Sequence, residues 1–370
     1  MTERERLLCV LQGKTPDQVP WFGDLSHWYQ AEAGIPWNLY QPDNAAPELL
    51  ALHREVKAGW YIGAPGLHEE HYSDGVERER ALQDDRAVEQ FHTPIGSLQM
   101  IRRWNQTSYS WDIVKHLVET PQDLEILTYA QERKYYVPRF DNWAQAEKLA
   151  GDIGLGFCNL AYTGLGSLIS YYMGVAPTIY ALADEPERTE RYIRIYNEKH
   201  LELVRLYSQS PAPHMIFTDN LSSDVQSPSL FRQYSLEHYR NIADCLHAAG
   251  KTVSAHIDGR MGGLLGLLAD AGIDVADACT PAPSGDIGPA EIRRQAGPRM
   301  IVMGGVSPSK WLPETPEKEF IEHVRSWLDL SRTSSRVIQS AGDQVPPGTK
   351  LQRIRLMADL VAFFGRYPDN

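Results

Sequence analysis

Residues 251–279 read KTVSAHIDGRMGGLLGLLADAGIDVADAC and contain one full repeat of the pattern that decides the fold. A β-prone run from Lys251 to Ala255 ends at the turn His256-Ile257-Asp258-Gly259. A Leu- and Gly-rich helical stretch from Leu264 to Ala271 follows, and Ile273 to Ala276 is the next β-prone run. A strand, a helix and a further strand joined by short connections are typical of a parallel sheet with crossover helices.

The same alternation continues along the second half of the chain. His214 to Thr218 reads as a strand followed by a helix from Leu230 to Ala249, and later strands run from Met300 to Met303 and from Arg336 to Gln339. Units with connections this short fit a closed barrel or an open doubly wound sheet. No strand leads into a Gly-x-Gly-x-x-Gly turn, so a Rossmann dinucleotide site is not supported. We therefore expect one α/β domain, a TIM-type (β/α)₈ barrel spanning residues 1–370.

An insertion interrupts the pattern in the first half. Residues 88–111 alternate apolar and polar side chains around the turn Thr93-Pro94-Ile95-Gly96, which predicts a β-hairpin insertion laid over the barrel. Thr120 as N-cap, with Pro121 at the first helical position, then predicts a helix that reaches about Tyr136. His68 to His71 has His-x-x-His spacing but not the pattern of a zinc-protease helix, so we expect a solvated loop there.

The composition is that of a folded globular protein, with 42% hydrophobic and 23% charged residues. The formal net charge of −12 repels nucleic-acid phosphates and anionic lipid surfaces. No apolar run approaches the roughly 20 residues that cross a bilayer. The four cysteines have no Cys-x-x-Cys spacing, which argues against a disulfide scaffold. We expect a cytoplasmic protein that binds neither nucleic acid nor membranes.

Acidic and histidine side chains directly follow several of the strands. Because the carboxyl ends of parallel strands converge, these residues are expected around one pocket. They are Asp219, His256, Asp258, Asp277 and Asp343. A His and an Asp two residues apart suit metal ligation or a general acid/base pair, and a helix-capping Asp beside a backbone-bonded His is the alternative. His27, beside Asp24 and Trp28, is a further candidate for the pocket lining.

With these motifs in order, the chain resembles the uroporphyrinogen decarboxylase superfamily, which includes the decarboxylases and the corrinoid-linked methyltransferases. The motifs that carry the resemblance are Glu3-Arg4-Glu5-Arg6-Leu7, Pro16-Asp17-Gln18-Val19-Pro20, Thr93-Pro94-Ile95-Gly96-Ser97, His256-Ile257-Asp258-Gly259, Gly304-Gly305-Val306 and Gly342-Asp343-Gln344-Val345-Pro346-Pro347. The family fold is a (β/α)₈ barrel, so the resemblance implies the same architecture. By resemblance alone, we also expect a homodimer.

Two decarboxylase motifs are missing from the chain. The family's decarboxylases carry an arginine-rich Met-Arg-Gln-Ala-Gly-Arg-Tyr segment, whereas Trp21 to Tyr29 contains no arginine. Their Phe-Ser-Asp-Ile-Leu motif is also missing from the corresponding region, Trp60 to His71. Because an octa-anionic porphyrinogen needs cationic partners, these differences disfavour decarboxylation of that substrate.

The methyltransferase branch binds zinc through a His-x-Cys pair and a second Cys in a Gly-Cys turn. The resemblance places His256 at the histidine and puts Asp258 and Asp343 where the two cysteines stand. A His/Asp/Asp set still suits zinc or another divalent ion. Without a metal, the same carboxylates would act as proton-transfer groups.

The resemblance implies methyl transfer between a small methylated substrate and a corrinoid, carried by a partner protein that docks over the barrel mouth. His256, Asp258 and Asp343 would form the reactive cluster. Asp24, His27 and Asp219 would orient the substrate, and an aromatic wall would favour a methylated amine. The expected wall consists of Trp21, Trp28 and Tyr162.

Two other functions remain open from the sequence. One is cofactor-free decarboxylation of a porphyrinogen or of a smaller pyrrolic or aromatic acid, which Arg102 and Arg103 would support if they were directed into the pocket. The other is a barrel that binds a ligand without turning it over. Clustered charges in an apolar pocket favour chemistry over simple binding.

Overall fold

The structure is a computed structural model that describes residues 1–40, 46–60 and 66–367. Residues 61–65, within the region compared with the second decarboxylase motif, lie outside the described residues. The strands are β1 (His68–Tyr72), β2 (Glu77–Gln83), β3 (Arg86–Thr93), β4 (Gly96–Asn105), β5 (Ser110–Lys115), β6 (Lys134–Pro138), β7 (Cys158–Asn159), β8 (His214–Leu221), β9 (Thr252–Ile257), β10 (Val275–Cys279), β11 (Ile301–Gly304) and β12 (Val337–Gln339).

The helices surround these strands. They are α1 (Glu3–Leu11), α2 (Ser26–Ala33), α3 (Pro47–Glu55), α4 (Pro121–Glu132), α5 (Asp141–Ala150), α6 (Gly164–Ser167), α7 (Val175–Asp184), α8 (Pro186–Ser208), α9 (Pro228–Tyr234), α10 (Leu236–Ala248), α11 (Leu265–Asp270), α12 (Pro289–Ala296), α13 (Pro308–Trp311), α14 (Glu317–Leu328) and α15 (Leu351–Phe364). A π-helix runs over Leu168–Tyr172 and a 3₁₀ helix over Asp329–Arg332. No helix in the described ranges is long and apolar enough to cross a membrane.

Six strands form one parallel sheet in the order β12-β11-β10-β9-β8-β7. One or two helices connect each strand from β8 onward to the next, as α9 and α10 do between β8 and β9. The strands are nearly all buried, because helices cover them, and this explains their continuous apolar sequences. The predicted α/β fold with a parallel sheet is therefore confirmed.

Three short segments extend this parallel pairing through isolated bridges. The bridges join Trp21 to Gln339, Phe22 to Gly59, and Trp60 to Gly154. At the last bridge the two backbones lie so close that a Cβ atom on Gly154 would overlap the carbonyl oxygen of Trp60. Gly154 is thus required there by the close approach of the chains.

The insertion is larger than the predicted hairpin. The turn at Thr93–Gly96 joins β3 to β4, and β2 and β5 extend the pair to a four-stranded antiparallel sheet in the order β2-β3-β4-β5. The sequence pattern does not predict β2, because its seven residues, ERERALQ, are almost entirely exposed and show no apolar alternation. Phe91, Leu98 and Met100 on the inner face pack into a second apolar cluster.

The segment around residue 134 corrects two predictions. The capping box of Thr120 and Asp123 starts α4 as predicted, but this helix ends at Glu132 and does not reach Tyr136. The β-prone run from Lys134 to Pro138 instead forms β6, which pairs with β1. The His68–His71 segment is consequently a strand and not the solvated loop that we predicted.

Candidate active site

The register of β9 and β10 brings His256 and Asp277 together. The two residues are direct partners in the parallel ladder. The Nδ1 atom of His256 lies 2.8 Å from Oδ2 of Asp277, whose side chain is fully buried. This hydrogen bond holds the imidazole ring in one orientation and leaves its Nε2 atom for other partners.

Asp343 lies on the other side of the ring. Its Oδ1 atom is 3.6 Å from the Nε2 atom of His256, and 42% of its side chain is accessible to solvent. The turn that carries Asp343 depends on Gly342, which has φ 95° and whose missing Cβ would overlap the carbonyl oxygen of Val306. The backbone after β12 therefore delivers a carboxylate to the free edge of the histidine.

The charges at this cluster determine its protonation. Burial lowers the pKa of His256, but the hydrogen bond and charge of Asp277, together with Asp343 and Asp258, outweigh it and raise the pKa to about 9. Burial and the neighbouring carboxylates Asp258 and Asp24 raise the pKa of Asp343 to about 6, against the opposing effect of His256. At neutral pH the site thus holds an imidazolium among carboxylates.

Asp24 and Asp258 differ in how they belong to the site. Asp24 is buried, and its oxygens accept hydrogen bonds from the backbone N–H and hydroxyl of Ser26 and from Nε2 of Gln344 at 2.6–2.9 Å. It therefore holds the turn that carries Asp343. Asp258 is exposed at the end of β9, and its backbone N–H donates to the carbonyl oxygen of Leu221.

His27 and the two predicted tryptophans are used for packing. The Nε2 atom of His27 lies 3.1 Å from the carbonyl oxygen of Tyr109, in the turn between β4 and β5. The indole of Trp28 donates to the carbonyl oxygen of Thr349 at 2.8 Å. Trp21 is buried and stacks on Trp311 with the ring centroids 6.4 Å apart. The expected aromatic wall is corrected accordingly, because the indole of Trp21 packs in the core and the indole of Trp28 is bonded to the loop that carries Thr349.

Asp219 and Tyr162 lie at the ends of β8 and β7. The carboxylate of Asp219 is buried and accepts hydrogen bonds from the backbone N–H and hydroxyl of Thr163 and from the Tyr239 hydroxyl, at 2.6, 2.7 and 2.9 Å. Burial raises the pKa of Asp219 to about 6. Asp219 thus anchors the loop that carries Tyr162, and its oxygens are occupied by protein donors. Tyr162 is half-buried beside Tyr171, at a centroid distance of 6.2 Å.

No sequence pattern predicts the left-handed backbone conformations at the strand ends. Ala161, Asn220 and Ala278, which follow or end β7, β8 and β10, have φ values of 67°, 49° and 55°. Left-handed conformations at residues other than glycine are concentrated at functional sites. The side chain of Asn159 stabilises one of them, because its Oδ1 atom accepts from the N–H of Ala161 at 2.5 Å and from the hydroxyl of Thr218 at 3.2 Å.

The two arginines of β4 point to opposite sides. Arg103 is exposed and lies 3.5 Å from Asp85. The guanidinium of Arg102 lies over the ring of Tyr171, 4.4 Å from its centroid. Of the two, Arg102 therefore lies on the face of the sheet that packs against Tyr171.

The predicted metal set does not fit this arrangement. In the ranges that the structure describes, no three His, Cys, Asp or Glu side chains are placed so that they could hold a metal ion. The Nδ1 atom of His256 is engaged by Asp277, and a protonated ring has no free lone pair for a cation. The charges of Asp258 and Asp343 act on His256, but the three described side chains do not form a ligand shell.

These features define an α/β protein with a polar site at the carboxyl ends of parallel strands. The chain belongs to the uroporphyrinogen decarboxylase (URO-D) family, whose model matches residues 156–363. No curated protein sequence matches the chain.

The chain is similar to solved structures to different degrees. A methyltransferase from Methanosarcina mazei aligns over 98% of this chain and 99% of its own, with TM-score 0.63 and 17% identity. A D-psicose 3-epimerase from Clostridium cellulolyticum H10 covers 61% of this chain and 84% of its own, with TM-score 0.37 and 10% identity. The first of these likenesses extends over the whole length of both chains.

Proposed function

We propose that this protein is an enzyme that transfers a methyl group between a small methylated substrate and a corrinoid carried by a partner protein. The observation that carries the proposal is the His256 ring, fixed on one side by Asp277 and facing Asp343 on the other. The family and the full-length likeness to a protein named a methyltransferase support the choice of reaction.

We further propose that the chain is one domain whose strands close into a (β/α)₈ barrel. The bridges from Gln339 through Trp21, Phe22, Gly59 and Trp60 support this closure, because they continue the parallel order beyond β12. The last bridge reaches Gly154, four residues before β7, which is the other edge of the sheet. A closed barrel would place every strand end around one mouth, where the partner protein would dock.

The residues of this chain would carry out the proton transfer of the reaction. When bound, the corrinoid supplies the cobalt centre that exchanges a methyl group with the substrate. The substrate heteroatom keeps the electron pair of its broken bond to carbon, and His256 donates the proton from Nε2 to that atom. Asp277 holds the ring and stabilises its charge, and in the reverse direction His256 takes the proton back. Asp343 lies where it would align the heteroatom with Nε2.

The charge of the site disfavours a porphyrinogen. The carboxylates of Asp258, Asp277 and Asp343 act on His256, and an octa-anionic ligand would be repelled by them. Decarboxylation of a smaller acid is the second candidate. Of the two arginines expected to support it, Arg102 lies over the ring of Tyr171, whereas Arg103 pairs with Asp85 at the surface. In this case His256 would protonate the carbon that loses carbon dioxide.

A methyl-transfer assay tests the proposal. Purified protein is mixed with reduced cobalamin and a panel of methylated amines, thiols and ethers, and the cobalamin spectrum is followed. We expect at least one donor to be demethylated, and His256→Ala to slow it by about 10²- to 10⁴-fold because the proton donor is removed. His247→Ala is the matched control, because His247 also bonds an aspartate, Asp274, at 2.8 Å but lies at the surface.

The proposal is abandoned if no donor changes the spectrum, or if both histidine variants react at the wild-type rate. Release of carbon dioxide from a panel of small pyrrolic and aromatic acids, without cobalamin, would establish the second candidate instead.

A further inference from the structure

The antiparallel sheet places an arginine on its covered face. Side chains alternate along a strand, and Leu98 and Met100 of β4 are buried on the inner face, the face to which Arg102 also belongs. Arg103, on the outer face, is paired with Asp85 at the surface. A cation on the covered face of a sheet is costly unless it has a partner or a function.

A β-bulge lies directly at this arginine. Ile101 pairs with Lys115 of β5, but Arg102 pairs with Ile113, so that Val114 is an extra residue on β5. Bulges bend the strand and change the direction of side chains, and they are common beside active sites. The bend is therefore in β5, directly beside the position of Arg102 on β4.

The charge of Arg102 has no counter-charge in the part of the chain that the structure describes. Its guanidinium lies over the ring of Tyr171, and no described carboxylate lies within ion-pair distance of it. The nearest candidate on the adjacent strand, Glu89, is already engaged by Arg78 and by the hydroxyl of Tyr171, which donates at 2.9 Å. The guanidinium donors therefore remain available to a ligand.

Aromatic rings connect Arg102 to the site. Tyr171, at the end of the π-helix, lies between Arg102 and Tyr162, with its ring centroid 6.2 Å from that of Tyr162. Burial and the charge of Asp219 raise the pKa of Tyr162; of the remaining charges, Arg102 lowers this pKa and Asp258 raises it. Tyr162 is thus within electrostatic range of the free cation and of the acidic cluster.

We propose that Arg102 binds a carboxylate of the substrate, so that the substrate is a small methylated carboxylic acid. A guanidinium holds a carboxylate through two parallel hydrogen bonds. The acidic groups around His256 repel the carboxylate end, and this repulsion directs the methyl-bearing end toward His256 and the charged end toward Arg102. The inference deepens the proposed function and rests on it for the methyl group, whereas binding of the carboxylate is measurable without any turnover.

Calorimetric titration tests carboxylate binding by Arg102 separately from methyl transfer. Methoxyacetate and methylthioacetate are titrated into the full-length protein, each beside its own amide, which has the same shape without the charge. We expect the acids to bind more tightly than the amides. Arg102→Ala should weaken binding of the acids by about 10- to 100-fold, the usual loss for a hydrogen bond to a charged group. The affinity of Arg102→Lys for the acids should lie between those of the wild type and Arg102→Ala, because lysine keeps the charge but not the two parallel donors of the guanidinium.

Arg103→Ala is the matched control and should bind the acids as the wild type does, since Arg103 lies on the opposite face. Failure of methyl transfer with every donor does not count against the carboxylate site, because binding of the acids is measured without turnover. The inference is overturned if the wild type shows no preference for acids over amides, including no binding of either. It is equally overturned if correctly folded Arg102→Ala binds the acids unchanged, or if inorganic phosphate binds to the wild type more tightly than the acids.

Discussion

His256 and Asp277 are neighbours in space because they are direct partners in the ladder between β9 and β10. Their side chains meet at 2.8 Å, with the carboxylate fully buried and the imidazole 14% exposed. A buried carboxylate stabilises the charged form of a neighbouring histidine. The sheet register itself, and not a flexible loop, therefore sets the charge of the central histidine.

Replacing Asp277 by asparagine should lower the pKa of His256 from about 9 toward its ordinary value, because the amide keeps a hydrogen-bond acceptor but removes the charge. NMR titration of the histidine ring resonances measures the change. Asp274→Asn, at the surface pair with His247, is the control and should leave His256 unaffected. An unchanged His256 titration in Asp277→Asn would contradict this assignment.

The same pair predicts how stability depends on pH. The pKa of His256 is higher in the folded protein than in the unfolded chain, so its protonation stabilises the fold fully below about pH 6.5. This stabilisation is lost as the pH rises through about 9. The difference in free energy of unfolding between the wild type and Asp277→Asn should therefore shrink from pH 6 to pH 9.5 in urea titrations. A difference that grew with pH would show that the charge of Asp277 destabilises the fold.

The sequence predicts the centre of the site better than its edges. Parallel strands end at one edge of a sheet, and this rule, which needs no knowledge of side-chain contacts, predicts that His256, Asp277 and Asp343 lie close together. Proximity in sequence to Asp24 predicts that His27 and Trp28 line the pocket. The partners that decide their direction, Tyr109 and Thr349, lie far along the chain, and no local pattern reveals them.

The same limit applies to the fold. The long apolar strands of the second half were recognisable, but Trp21–Phe22 and Gly59–Trp60 make only isolated bridges and are too short to show a period. β6 continues directly from α4 through Arg133, and only its pairing with β1 ends the helix there. Tertiary pairing overrides local propensity at these places.

Asp219 should act on stability more than on substrate binding. Asp219→Ala leaves the Thr163 N–H and the Tyr239 hydroxyl without their buried acceptor, and we expect it to lower the free energy of unfolding by about 3 kcal/mol. Asp219→Asn should lose less, because one oxygen remains. Urea denaturation measures both, with the exposed Asp224→Ala as control, expected within about 0.5 kcal/mol of the wild type. A stable Asp219→Ala protein with weakened substrate binding would contradict this and would support a substrate-binding role for Asp219.

Gly154→Ala tests the closure of the strands. The added methyl group would overlap the carbonyl oxygen of Trp60, so the bridge must separate, and we expect a loss of about 2 kcal/mol or more in the free energy of unfolding. Gly288→Ala is the matched control, because it has ordinary backbone angles and no heavy atom within 4 Å of its added Cβ. Faster amide exchange at Trp60 and Leu155 should accompany the loss, since both N–H groups donate across this junction. Equal stability of the two variants would mean that the segments do not pair in solution.

Metal content is the last test of the site. The ring of His256 carries a proton between two carboxylates, and zinc would have to displace that proton and separate His256 Nε2 from Asp343. We therefore expect protein purified from zinc-supplemented cells to contain clearly less than one zinc per chain, and chelators to leave its methyl-transfer or decarboxylation activity unchanged. Elemental analysis of the wild type and of His256→Ala measures this directly. One tightly held metal per chain that disappears in His256→Ala would replace the proton-transfer assignment by a metal site made of His256, Asp258 and Asp343.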